Sequence, residues 1–272
     1  MVKYRKMKAK NRRNPQKLLQ SKQKPQQSET DLINFLKEKE EFIYIAAHEL
    51  KAPLRKITTF SERLIEKYQN NLNEEALGYL KRIENNVASM QSLIDDLSAL
   101  SQIEANVDFA KCDVDILINE VLKESAVLIE ENNAKIESTA LPCLECNPKL
   151  LKEVFKNLID NSIKFQPKGQ NAQIRIESQL LTGEEKTRLR LPADRVYYKI
   201  TFADNGIGFE QENASKVFKA FQRLNGKSEY AGNGLGLAIC KKIIDMHKGL
   251  LYANGNINAG CLFVLILPQT RS

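Results

Sequence analysis

A sustained heptad pattern in the second quarter of the chain is the feature that most constrains its fold. Apolar side chains recur there alternately four and three positions apart, at Ala76, Leu80, Ile83, Val87, Met90, Ile94 and Leu97. Such an a/d seam predicts an α-helix that packs along its length against another helix. We expect this helix to begin near Asn73, whose side chain can cap it, and a preceding helix to run from about Thr30 to Gln69.

The apolar stripe of the second helix is wider than a two-helix seam requires, because Leu77, Leu93 and Leu100 flank it. The short segment 69–73 joins the two helices into a hairpin. One hairpin cannot cover a stripe of this width. We therefore expect two copies of the chain to form a homodimer, a four-helix bundle built from residues 30–104.

The basic residues are concentrated at the N-terminus. Ten of the 41 Lys and Arg residues lie in residues 1–25, which contain no acidic residue, and 31 basic and 34 acidic residues remain beyond them. We predict that residues 1–29 form a disordered, solvated tail. A peripheral or juxtamembrane contact of this tail with anionic lipid stays open, and we expect no nucleic-acid partner.

The cysteine count and the hydropathy pattern bear on the compartment. The five cysteines are an odd number, and no apolar stretch is long enough for a secretory signal or a membrane span. We therefore expect reduced thiols and a cytoplasmic location, with the cytoplasmic part of a membrane receptor as the other option. Cys143 and Cys146 have zinc-like spacing without a second ligand pair, so we predict an edge strand with no catalytic role.

Beyond Ile103 the pattern changes to short β-like runs that alternate with helical stretches. The predicted strands are Gln173–Leu181, Val196–Ala203, Gly249–Ala253 and Cys261–Leu267, and the predicted helices are Asp115–Asn132, Lys149–Phe165 and Leu235–His247. This order predicts an α+β sandwich over residues 105–272, in which helices cover one face of a mixed sheet. We predict a long charged hairpin for residues 182–195.

One predicted helix carries a polar face suited to phosphate and metal. Asn157 and Asn161 lie four residues apart and share a helix face, and Lys164 and Phe165 follow one turn later. A carboxamide oxygen suits Mg²⁺, an ammonium group suits phosphate, and a phenyl ring can stack on a purine. A polar helix surface without a ligand is the alternative for these residues.

Two glycine-rich stretches add candidates for ligand binding. Asp204, Gly206 and Gly208 follow a predicted strand, where a carboxylate can accept an amino group and the glycines let the backbone approach a ligand. The second stretch runs directly into a helix, which makes an anion site from free N–H groups. Its candidate residues are Gly232, Gly234, Leu235, Gly236 and Leu237. It is neither a dinucleotide fingerprint nor a Walker A loop.

The chain has only two histidines, and their surroundings differ. His247 lies at the C-terminus of a predicted helix, where a capping or dipole role is expected. His48 lies within a helix, is followed by Glu49, and precedes Pro53, which removes the hydrogen bond to the carbonyl of residue 49. A bend beside an exposed histidine favours a reactive group that meets a second domain.

Together these stretches resemble the sensor histidine kinases of two-component signalling, over roughly residues 30–268. Residues 157–165, 204–208 and 232–237 are similar to the N, G1 and G2 boxes of the ATP-binding domain shared by histidine kinases, gyrase, Hsp90 and MutL. Residues 217–223, which include Phe221 and Arg223, resemble the F box. The resemblance implies that ATP and Mg²⁺ are bound, with Asn161 as the metal ligand, Asp204 on the adenine and residues 209–234 as a mobile lid.

The same resemblance implies the chemistry. His48 would be the phosphoacceptor, with Glu49 orienting it, and the phosphoryl group would pass to an aspartate of a response-regulator receiver domain in trans. Asn157 stands where gyrase-like ATPases have a catalytic glutamate, which favours transfer over hydrolysis. Ala52 stands where many members have Thr or Asn, which predicts weak phosphatase activity, and Cys261 stands where Thr or Ser is usual.

Two alternatives remain open on the sequence. One is a related ATPase that hydrolyses ATP to drive a clamp. The other is a degenerate kinase that acts as a dimeric phosphotransfer or scaffolding module without activity of its own.

Overall fold

The computed structural model of this chain describes residues 15–68, 70–102, 108–224 and 233–270. Its first part is a hairpin of two long helices, which we call the stem: α1, Pro15–Tyr68, and α2, Glu74–Gln102. The Asn73 side chain accepts a hydrogen bond from the N–H of Ala76 at 2.8 Å, which confirms the predicted cap. None of the helices in the described part of the chain is both long enough and apolar enough to cross a membrane.

The N-terminal region differs from the prediction. Residues 15–29 were expected to be disordered, but they form the first turns of α1. Gln, Lys and Leu dominate this segment and favour the helix, and Pro15 stands at its start, where the missing N–H is not needed. The prediction for residues 1–14 lies outside the described residues.

The stem has a small apolar seam of its own. Ala47 and Leu54 of α1 are buried against Val87 and Ile94 of α2. The side chains of Lys51 and Asp95 bridge the same two helices, with 2.7 Å between Nζ and Oδ1. The predicted heptad seam therefore holds the hairpin together at its buried positions.

The α/β domain follows the stem. Its elements are β1 Ala110–Asp113, α3 Val114–Glu124, α4 Ala126–Glu131, β2 Lys135–Ser138, β3 Cys143–Cys146, α5 Pro148–Lys164, β4 Gln173–Leu180, α6 Gly183–Arg188, β5 Tyr197–Asp204, α7 Gly236–Met246, β6 Leu250–Asn256 and β7 Gly260–Pro268. β1 and β3 form a two-stranded antiparallel sheet. The main sheet has the order β2-β4-β5-β7-β6, in which β2 pairs in parallel with β4 and the other pairs are antiparallel.

The core of this domain lies between the helices and one face of the main sheet. Phe155 of α5 and Phe202 of β5 are fully buried, with their ring centroids 5.6 Å apart. Ile243 of α7 and Ile118 of α3 belong to the same cluster. The predicted architecture, a helical hairpin followed by a mixed sheet covered by helices, is thus confirmed.

Several details of the domain differ from the prediction. The helix expected over residues 115–132 is interrupted at Ser125 and forms α3 and α4, and the strands β1 and β2 were not predicted. The predicted edge strand at Cys143–Cys146 is present as β3.

Residues 182–195 were wrongly predicted as a charged hairpin, because they contain α6. Thr182 and Glu185 form a capping box at its start, a helix signal hidden among the charges. Leu189 and Leu191 beyond α6 pack on the second face of the sheet, against a cluster that contains Tyr197. The segment therefore covers part of the sheet face opposite the helices.

Glu185 is the electrostatic anchor of this segment. Its carboxylate accepts the N–H of Thr182 at 2.9 Å and meets Lys199 Nζ at 2.9 Å. The backbone donor at Thr182 and the Lys199 ammonium lower the pKa of Glu185 to about 2. A depressed folded-state pKa stabilises the fold above the ordinary glutamate pKa, and this contribution is lost as the pH falls towards 2.

We expect Glu185→Gln to lower the free energy of unfolding at pH 7 by roughly 0.5–1 kcal/mol. The loss should shrink as the pH is lowered from 7 towards 3, because the wild-type carboxylate becomes protonated in the unfolded chain. Urea unfolding at several pH values measures this. Glu184→Gln changes the neighbouring exposed glutamate and is the matched control; an equal, pH-independent loss in both variants would contradict the assignment.

Candidate functional site

A cavity of about 350 Å³ opens beside the main sheet, between the polar face of α5, the start of α7 and one side of α2. It gathers predicted site residues from four separate segments: Asn157, Asn161, Lys164, Phe165, Asp204, Gly208, Arg223, Gly234, Gly236 and Leu237. The folded chain thus brings ten of the sequence-predicted residues to one place. The cavity is the candidate ligand site.

Other predicted residues occupy different positions. Gly206 does not line the cavity but lies against the end of α5, where an added Cβ would come within 2.6 Å of the Phe165 carbonyl oxygen. Leu235 is fully buried in the apolar core, so it packs rather than facing the cavity. Phe221 is exposed and does not line the cavity. The prediction for Gly232 lies outside the described residues.

Helix α5 carries the polar wall because its opposite face is apolar and buried. Asn147 precedes the helix and caps it by accepting the N–H of Leu150, and Pro148 is the first helical residue. Asn157 Nδ2 donates to the Glu153 carbonyl oxygen at 3.1 Å. Its Oδ1 lies so close to residue 236 that an added Cβ there would come within 2.6 Å of it. A side chain at position 236, where α7 starts, would therefore displace the Asn157 carboxamide.

The cationic side of the cavity is formed by Lys164 and Arg223. Lys164 Nζ stands 4.4 Å from the centroid of the Phe165 ring. Burial, and next the neighbouring Arg223, lower the pKa of Lys164 from its ordinary value. Two cations that disfavour each other in one cavity favour an anionic ligand that pairs with both.

Asp204 lies at the end of β5 and is held by three donors. Its Oδ1 accepts the N–H of Gly206 at 2.9 Å and that of Cys261 at 3.1 Å, and its Oδ2 accepts the Ser162 hydroxyl at 3.1 Å. Burial raises the pKa of the Asp204 carboxyl, although these hydrogen bonds favour the charged form. The carboxylate is thus fixed in orientation at the cavity wall, where it can accept a further N–H from a ligand.

Two glycines let backbone segments approach each other around this carboxylate. Gly208 has φ +62°, and a Cβ there would collide with the carbonyl oxygen of Asn256. Gly260 has φ +92°, and a Cβ there would collide with the carbonyl oxygen of Asp204. Both positions combine a left-handed conformation with close backbone contact, which only glycine accommodates.

The segment predicted as a lid is described only in part, up to residue 224 and again from residue 233. Val217 lines the cavity, and the neighbouring ring of Phe218 packs edge-on against Phe263, with centroids 6.5 Å apart. Phe221 donates its N–H to the carbonyl oxygen of Gly234 at 3.0 Å. This bond ties the middle of the segment, at Phe221, to its end at Gly234.

The stem supplies a wall of the cavity that was not predicted. Ser92 and Asp96 of α2 line it, and Asn233 Nδ2 donates to Ser92 Oγ at 3.1 Å and to Asp96 Oδ2 at 3.3 Å. Burial, and to a lesser degree the neighbouring Asp95, raise the pKa of the Asp96 carboxyl. In the sequence, Ser92 and Asp96 are polar positions outside the heptad seam, and Asn233 lies between Gly232 and Gly234. None of these patterns predicts that the three residues border a ligand site.

The two histidines lie in different surroundings. His247 is buried at the end of α7, with Nδ1 2.7 Å from the Ile243 carbonyl oxygen, and its Nε2 accepts the N–H of Asn147 at 3.1 Å. This ring is a structural link between α7 and α5. The side chain of His48 is 73% exposed on α1, and its Nδ1 lies 3.8 Å from the Glu49 carboxylate.

The described residues contain no group of three or more His, Cys, Asp or Glu side chains that could hold a metal ion. Mg²⁺ makes a different demand, since it needs few protein oxygens and takes others from water and phosphate. The carboxamide of Asn161 on the cavity wall, together with the nearby cations, fits a magnesium-bound phosphate.

Comparison with known proteins matches both parts of the chain. Residues 38–106 match the His Kinase A (phospho-acceptor) domain, and residues 146–271 match the Histidine kinase-, DNA gyrase B-, and HSP90-like ATPase. Cyanobacterial phytochrome A of Nostoc sp. is 31% identical over 241 residues, which make up 88% of this chain and 29% of the relative. The phytochrome-like protein Cph1 of Synechocystis sp. is 32% identical over 230 residues, 84% of this chain and 29% of the relative.

The chain thus spans less than a third of the length of these curated relatives. Among solved structures, full-length ShkA in complex with AMPPNP matches with a TM-score of 0.63 at 20% identity. The match covers 84% of this chain and 45% of that protein, and it shows a shared fold.

We expect Gly208→Ala to destabilise the α/β domain by more than about 2 kcal/mol, since it adds a Cβ at positive φ against a backbone carbonyl. Thermal unfolding measures the change. Gly183→Ala is the matched control, because a Cβ at the start of α6 meets nothing within 4 Å. It should change the stability by less than about 0.5 kcal/mol. Equal effects of the two substitutions would refute the close approach at Gly208.

Proposed function

Because the chain belongs to the histidine kinases, of which it contains the phosphoacceptor and ATP-binding domains, we propose that it binds Mg-ATP in the cavity and transfers the γ-phosphoryl group to His48. The observation that carries this proposal is the cavity itself. It combines a partly buried carboxylate, Asp204, with a carboxamide and two cations, Asn161, Lys164 and Arg223.

Each part of the nucleotide has a matching group on the cavity wall. Asp204 would accept the amino group of adenine, and Phe165 offers a ring face to the base. Lys164 and Arg223 would pair with the phosphates. Asn161 would hold Mg²⁺, which adds positive charge next to the phosphates when bound.

The transfer step uses His48 and Glu49. The Nε2 lone pair of a neutral His48 would attack the γ-phosphorus, forming an N–P bond while the bond to the β–γ bridging oxygen breaks and ADP leaves with that electron pair. Glu49 beside Nδ1 would hold the proton on that nitrogen, which leaves Nε2 as the nucleophile. The exposure of His48 makes it accessible to the ATP-binding domain and to a partner.

Hydrolysis is the less favoured outcome at this cavity. The α5 position that would need a carboxylate to activate water carries Asn157, whose amide nitrogen is engaged with the Glu153 carbonyl oxygen. An amide is not a general base. Asn157 therefore supports transfer to a side chain over a clamp ATPase.

The exposed position of His48 on the stem lets a partner protein reach it. The phosphoryl group would pass from His48 to an aspartate on a response-regulator receiver domain in trans. Ala52, one turn after His48, is exposed and has no polar group to orient water. We therefore propose that this chain dephosphorylates its partner weakly.

A homodimer is the second part of the proposal. Large apolar side chains on both stem helices remain exposed in the single chain: Ile57, Phe60, Leu64, Ile83 and Met90. Exposed apolar positions three and four residues apart on paired helices are typical of a bundle interface. Two stems would cover these residues in a four-helix bundle.

We expect purified protein incubated with Mg²⁺ and γ-labelled ATP to acquire label that survives alkali and is lost in acid, as a phosphohistidine does. His48→Gln should abolish the label, and Asn161→Ala should reduce it by about 100-fold or more. Asn119→Ala, which truncates an exposed amide on α3, is the matched control and should label normally. Release of free phosphate by His48→Gln without any protein label would contradict the kinase and favour an ATPase.

We expect the wild-type chain to have twice its monomer mass of 31.0 kDa in light scattering. Phe60→Glu places a charge on the exposed apolar side of α1 and should weaken the dimer by at least about 10-fold, or 1.4 kcal/mol. Val127→Glu is the control, because Val127 is 68% exposed on α4, away from the stem. A wild type that stays monomeric at high concentration would overturn the dimer.

A further inference from the structure

Ser162 of α5 lies behind the nucleotide cavity and acts on it through Asp204. The residue is only 3% exposed and does not line the cavity, whereas Asn161 and Lys164 on the same helix do. The Ser162 hydroxyl donates to Asp204 Oδ2 at 3.1 Å. It thus connects the helix that carries the groups for metal and phosphate to the carboxylate that we expect to bind the base.

The hydrogen bonds of Asp204 are unevenly divided between its two oxygens. Oδ1 accepts two N–H groups, those of Gly206 and Cys261. Among the described residues, Oδ2 accepts only the Ser162 hydroxyl. Each carboxylate oxygen has room for about two donors. The open acceptor position of Asp204 therefore lies on Oδ2, the oxygen whose place the Ser162 hydroxyl sets.

The strand on the other side of the carboxylate offers no hydroxyl, because position 261 is a cysteine. Cys261 lines the cavity and gives Asp204 its backbone N–H, but a thiol is a weak donor. Burial, and next the charge of Asp204, raise the pKa of this thiol, so it stays neutral beside the carboxylate. Within the described part of the chain, Ser162 is the one side chain that hydrogen-bonds Asp204.

An ionised carboxylate with one open position distinguishes between two kinds of purine. Adenine carries an exocyclic amino group, which can donate to Oδ2, where hypoxanthine and guanine carry a carbonyl oxygen. Two acceptors that face each other in a desolvated site are both left unpaired, so a base with the carbonyl is rejected. A protonated carboxyl would lose this distinction, because its O–H could donate to the carbonyl oxygen. The Ser162 hydroxyl opposes that protonation, since it lowers the pKa of Asp204, which burial raises.

We propose that Ser162 is a positioning residue that determines base selectivity: its hydroxyl fixes Asp204 Oδ2 as an acceptor, so that the cavity takes an aminopurine nucleotide and rejects an oxopurine one. The inference rests on the proposed function, since it deepens the recognition of ATP at the same cavity. The phosphates would pair with Lys164 and Arg223 whichever base is attached. Ser162 therefore acts on the choice of base and not on the affinity for the triphosphate.

Inosine triphosphate is the matched probe, because it differs from ATP only in carrying hypoxanthine in place of adenine. Competition with a fluorescent ATP analogue in the presence of Mg²⁺ measures both affinities, in a His48→Gln background where no transfer to His48 consumes the nucleotide. We expect ATP to bind at least about 20-fold more tightly than inosine triphosphate. Ser162→Ala should weaken ATP binding about 10-fold and change inosine triphosphate binding by less than about 2-fold. Ser162→Cys, which keeps the size of the side chain, should act in the same way.

Ser125→Ala is the matched control. Ser125 is also 3% exposed and lies in the same domain, but its hydroxyl makes no hydrogen bond among the described residues. This variant should keep the full preference for ATP, and thermal unfolding should show all variants folded. An unchanged preference in both Ser162 variants, or an equal loss of affinity for the two nucleotides, would overturn the role of Ser162 alone. Absence of ATP binding while Ser162 is intact would overturn the proposed function and this inference with it.

Discussion

The partial burial of one carboxylate, that of Asp204, is the constraint on which the rest of the site depends. A charged group shielded from water is costly unless donors surround it, and here the donors come from α5, from the loop after β5 and from β7. Ser162 ties α5 to the sheet, and the N–H of Cys261 ties in the neighbouring strand. The same arrangement requires glycine at position 260, where the backbone passes the Asp204 carbonyl. The same contacts thus set both the position of the Asp204 carboxylate and its hydrogen bonding.

The amino-acid pattern was informative wherever a local rule decides the outcome. The heptad seam predicted α2 and its cap at Asn73, and the spacing of Asn157 and Asn161 predicted a polar helix face. The glycines at 208 and 236 were recognised because each stands in a glycine-rich stretch. Asn157, Asn161 and these two glycines line the cavity. The contribution of Ser162 was missed, since a serine between polar and apolar residues on a helix has no distinctive pattern.

The errors arise where tertiary contacts override local signals. The strands β1 and β2 are four residues each, too short for a periodicity to be detected. The charged composition of residues 182–195 concealed the capping box that starts α6. Leu235 follows the glycines of a binding motif, yet it is buried in the core, because the first turn of α7 must also pack against the sheet side of the domain. A motif identifies a segment, and packing decides which of its side chains reach the ligand.

Helix α2 shows why the width of an apolar stripe does not identify what covers it. The flanking residues Leu93 and Leu100 were assigned to a second copy of the chain, but they contact the ATP-binding domain instead. One surface of α2 cannot be covered by both at once, so a dimer must use the positions that remain exposed, such as Met90 and, on α1, Phe60. In the proposed dimer, the interface would therefore lie on a different side of the stem from the surface of α2 that packs against the α/β domain.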